Sequence, residues 1–137
     1  MVATNVRPNT TLETVADYIS DARTLLLDTI SPYRYDDESL IISLNVSLLE
    51  GRRLRPDLFV FECGGRVPHY STRDIESKTA VPIEEQFRLA FLHGVLGHAL
   101  ERDQEDVQDQ RAVTMLTIMA SLLIGKAIVM PPAPQGG

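Results

Sequence analysis

The stretch Asp36–Arg53, DDESLIISLNVSLLEGRR, decides how this chain folds. Asp36 is a good N-cap, and Asp37 and Glu38 place negative charge at the positive end of a helix dipole. The spacing predicts a helix from about Asp37 to Arg53 with two apolar stripes. One stripe is Leu40, Ile41, Leu44 and Leu48. The other is Ile42, Val46 and Leu49. A surface helix of a monomer needs only one. Arg52, Arg53 and Arg55 close the helix, where cations suit the negative end of the dipole.

Upstream, residues 1–9 are polar and read as an arm. Thr10 and Glu13 have the spacing of a capping box. Leu12, Val15, Ala16, Ile19, Ala22, Leu26 and Ile30 then follow at helical spacing, and Ser31-Pro32 is the expected stop. Downstream, 54–81 changes character. Leu58-Phe59-Val60-Phe61 is apolar with aromatic and β-branched residues, and Gly64-Gly65 follows, so the segment reads as a small β-hairpin or an extended loop. Pro82, Glu84 and Glu85 suit the start of a third helix. Phe87, Phe91, Val95 and Ala99 form one stripe of it, and Leu89, Leu92, Leu96 and Leu100 lie near a second. Gly94 and Gly97 fall inside it, where each costs about 1 kcal/mol against alanine, and close approach by another backbone is the expected compensation. The charged stretch from Glu101 to Asp109 bends the chain or begins a fourth helix. That helix is apolar nearly all round from Met115 to Ile124 and reads as central or interfacial. Residues 131–137 are an extended tail. The fold class expected is mainly α: one four-helix bundle-like domain over residues 1–137.

The chain has 137 residues, 44% of them apolar, and this fits a single core. A net charge of −6 makes it a poor grip for a phosphate backbone. One cysteine, Cys63, rules out an intrachain disulfide. The first residues lack the pattern of a signal peptide. The longest apolar run, Ala112–Ile124, is shorter than the about 20 residues a membrane span needs, so no membrane association is expected.

Chemical signatures are thin. His93 and His98 are five apart, and ligands on one helical face need three or four. His98 and Glu101 have the right spacing, but one pair is not a ligand set. Cys63 with His69 lacks a cysteine-enzyme signature. No Walker loop, Rossmann pattern or nucleophile elbow is present. No catalytic residue, metal site or cofactor is expected, and the chain reads as a non-enzyme. The basic cluster Arg52, Arg53 and Arg55 is a contact patch for an acidic partner or DNA, or a solvated helix end. Glu101, Asp103, Glu105, Asp106 and Asp109 form a solvated acidic face or a surface that repels DNA. The apolar excess is more informative. Three helices carry more apolar surface than one small bundle buries, which calls for a protein partner. The candidate interface residues are Ile42, Val46, Leu49, Leu89, Leu92, Leu96, Met115 and Met119.

With those helices in place, Tyr35-Asp36-Asp37-Glu38-Ser39-Leu40 to Leu54-Arg55-Pro56-Asp57 resembles the second-helix signature of tailed-phage head–tail adaptor (connector) proteins. Pro82-Ile83-Glu84-Glu85-Gln86-Phe87-Arg88 to Leu100-Glu101-Arg102-Asp103 is similar to the family's third helix, and Gln110 to Lys126 to its last. The likeness runs from about Leu12 to Lys126. Many members carry a sizeable β-rich insertion between the second and third helices, for which only 54–81 is available here.

The resemblance implies a virion neck subunit, assembled in the host cytoplasm. It implies a homo-oligomeric ring of about twelve copies beneath the portal protein, extending the DNA channel and holding tail or nozzle proteins. DNA would pass nearby without specific binding. A ring subunit needs two different apolar surfaces, and the two stripes of the Asp36–Arg53 helix suit that. The alternative is a small helical regulatory or chaperone-like module that binds one partner helix in a groove.

Overall fold

The computed structural model describes residues 11–102 and 109–125. The arm 1–9, Thr10, the tail 131–137 and Asp103, Glu105 and Asp106 lie outside the described residues. The fold is mainly helical and bundle-like. The elements are α1 (Val15–Leu25), α2 (Asp37–Leu54), a 3-10 turn (Pro56–Phe59) running into α3 (Val60–Cys63), α4 (Arg73–Glu76), α5 (Glu85–Arg102) and α6 (Asp109–Ile124).

Helix α1 begins later and ends earlier than its periodicity predicts. Its N-cap is Thr14, whose hydroxyl accepts from the Asp17 N–H at 3.2 Å. The Asp17 carboxylate accepts from the backbone N–H of Thr14 at 3.0 Å and of Glu13 at 2.9 Å. This capping box replaces the one expected at Thr10 and Glu13. Leu12, at φ +47°, precedes the helix and is buried. At the other end Asp28 N–H donates to Arg23 O at 2.8 Å, and Leu27 N–H to Thr24 O at 3.2 Å. That is a Schellman stop, with Leu27 at φ +58° in the position glycine usually takes. The helix therefore ends at Leu25, not at Ser31-Pro32, and Ile30 projects from the connection.

Helix α2 follows its sequence closely. The Asp36 carboxylate accepts from Ser39 N–H at 2.7 Å, and the helix runs one residue beyond Arg53. Pro56 bars a further turn. Leu40, Ile41, Leu44 and Leu48 are buried. Ser43 and Ser47 share that face, and their hydroxyls donate to Ser39 O and Ser43 O, so no polar group there is stranded.

No hairpin forms at 54–81. The residues Leu58–Phe61 are helical, and Gly64, at φ +61°, caps α3 rather than turning a strand. Pro56 at the first position of the 3-10 turn favours this outcome. A lone two-stranded hairpin would also be marginal in water. Phe59 becomes fully buried, edge-on to Phe91 with centroids 6.2 Å apart. The one β-type pairing among the described residues is an antiparallel bridge between Thr14 and Ala80. It is framed by Val15 N–H to Thr79 O and Val81 N–H to Glu13 O, both 2.9 Å.

Helix α5 is the centre of the molecule. It packs on α1, α2 and α6, and both of its apolar stripes are buried except Leu89 and the half-buried Phe87. It starts at Glu85, three residues past Pro82, because Val81 and Ile83 serve as core plugs. Gly94 and Gly97 face helix contacts, as their cost suggests. A Cβ on Gly94 would lie 2.6 Å from Ser47 Oγ and 2.7 Å from Met119 Sδ. One on Gly97 would lie 2.6 Å from Leu116 Cγ and 3.2 Å from its backbone nitrogen. Helix α6 is thus not the central helix. Ala112, Met119 and Leu123 are buried against its neighbours, while Val113, Leu122 and Ile124 are exposed. Two threonines interrupt its apolar surface. Thr114 and Thr117 face solvent, and their hydroxyls donate back to Gln110 O and Val113 O. Among the described residues no helix is long and apolar enough to cross a membrane.

Candidate interaction surface

The outer stripe of α2 lies almost opposite its buried one, because successive helix residues advance 100°. Ile42, Val46 and Leu49 are exposed, Leu49 at 60%. Leu89 on α5 is exposed too, and Met115 is half-buried against the core. Leu92, Leu96 and Met119 are corrections to the expected interface. They are core residues, at 4% exposure or less, because α5 is covered by helices on several sides. Periodicity shows how many apolar faces a helix has, not how many neighbours it meets.

Beside the α2 stripe is a concavity of about 380 Å³ between Glu38, Ile41, Ile42 and residues 69–72. Asn45 shapes its wall. Its side-chain amide donates to Tyr70 O and accepts from Tyr70 N–H, each at 2.9 Å, in the manner of a strand pair. The Tyr70 hydroxyl donates to Ala80 O at 3.0 Å, and burial pushes its pKa up to about 12.

The basic cluster is engaged in the fold. Arg52 Nε donates to Gly65 O at 2.9 Å and holds the loop after α3. Arg53 pairs with Glu50 at 2.6 Å, and this hydrogen bond keeps the Glu50 carboxyl below its ordinary value. Arg55 binds Asp57 through two N–H groups at 2.9 and 2.8 Å, lowering the Asp57 pKa in the same way. It also donates to Leu123 O and lies 5.0 Å from the Phe87 ring centroid. Arg55 therefore braces the C-terminal ends of α2 and α6. Arg52 and Arg53 remain exposed.

Of the acidic stretch, Glu101 is exposed at the end of α5, and Asp109 opens α6. His98 Nδ1 stands 3.6 Å from Glu101 Oε1, and its buried Nε2 has no hydrogen-bond partner. His93 Nδ1 is 2.9 Å from Leu89 O. Among the described residues no three His, Cys, Asp or Glu side chains converge to hold a metal ion. Cys63 is half-buried.

One cluster has no counterpart in the sequence reading. Arg23 is buried and donates to Asp28 Oδ2 at 3.0 Å, to Tyr35 O at 2.6 Å and to Asp37 Oδ1 at 2.6 Å. Its guanidinium lies 3.9 Å from the Tyr33 ring centroid. Asp28 in turn accepts from the backbone N–H of Arg34 at 2.7 Å and of Tyr35 at 2.9 Å. The connection between α1 and α2 is thereby pinned from inside, and its outer edge presents Leu27 at 89% exposure and Ile30 at 82%. Periodicity puts Ile30 on the helix, four residues after Leu26, and only the stop at Leu25 turns it and Leu27 outward.

No family model matches the chain, and no similar protein is found among the curated proteins or the solved structures.

Proposed function

We propose that this chain is the structural subunit of a head–tail adaptor ring in a phage neck. It would seat beneath a portal, lengthen the DNA channel and offer tail proteins a platform. The observation that carries the reading is the two-sided α2: one stripe fills the core, and Ile42, Val46 and Leu49 remain uncovered on the opposite face. A closed ring requires each subunit to show one surface to one neighbour and a different surface to the other. The exposed apolar tip at Leu27 and Ile30 supplies a second surface, distinct from the α2 stripe. The net charge of −6 suits a wall past which DNA slides without sticking. The motif likeness at Tyr35–Asp57 and Pro82–Asp103 points the same way.

The rival reading is a regulatory or chaperone-like module gripping one partner helix, which needs a continuous groove. The exposed α2 stripe would serve that reading as well, and the oligomeric state separates the two. Co-expression with the portal protein of the same genome, followed by electron microscopy, tests the proposal. A ring of this chain seated on the portal is the expected result. A chain that stays monomeric and never co-purifies with the portal would sink it.

A further inference from the structure

We draw no further inference here: the strongest candidate, the exposed apolar patch at Leu27 and Ile30 on the connection between α1 and α2, is an unpartnered surface, and nothing in the structure shows what covers it.

Discussion

Arg23 shows what a single buried residue does here. It joins the end of α1, the connection and the first turn of α2 through three hydrogen bonds. Arg23→Met strands the buried Asp28 carboxylate, and a cost of about 3 kcal/mol is expected in urea unfolding. Adding Asp28→Asn should recover part of that loss. Asp74 gives a second, pH-dependent prediction. Its carboxylate accepts from Ser71 N–H and from the Thr79 hydroxyl, both at 2.7 Å, and these bonds hold its pKa below the ordinary aspartate value. A depressed folded value means the stabilisation is fully present above the unfolded pKa of about 4 and is lost as pH falls through the folded one. Urea midpoints of the native chain and Asp74→Asn should therefore differ at neutral pH and converge in acid. At this scale the sequence was legible only where chemistry is local. The Asp36 cap could be read because its acceptor role spans three residues. The Arg23–Asp28 pair could not, since both residues look like ordinary solvent charges until the connection folds back over them.

At the scale of elements, helix contacts follow from where bulk is missing. Gly94 lets α5 approach Ser47 of α2 and Met119 of α6. Gly94→Ala gains about 1 kcal/mol of helix propensity but forces the new methyl group onto Ser47 Cβ at 2.8 Å. A net loss of about 1–2 kcal/mol is expected from thermal melts, because Ser47 Cβ is fixed to the α2 backbone. The opposite behaviour is expected on the outer stripe of α2. Val46→Asp, on a side chain that is already exposed, should change stability by less than about 0.5 kcal/mol while weakening self-association several-fold in analytical ultracentrifugation. The α2 periodicity was readable because cap, stripes and stop agree. The segment 54–81 was not, since its short apolar run fits a strand or a buried helical turn equally well. Phe59 settled the matter by packing on Phe91, a contact 32 residues away in sequence.

For the whole molecule, the mainly helical bundle was legible from three periodic segments, but the identity of its central helix was not. The last helix has the most apolar sequence, yet α5 occupies the centre because its glycines admit neighbours on two sides. Leu92, Leu96 and Met119 therefore serve the core, and the surface left for partners narrows to the α2 stripe, Leu89, the tip at Leu27 and Ile30, and the flanks of α6. We propose that this surface joins copies of the chain into a ring. Native mass spectrometry of the purified full-length protein across a concentration series tests it most directly. A ring subunit should give one closed high-order species of about twelve copies that dissociates without populating a stable dimer. A monomer or a discrete dimer at every concentration would contradict it.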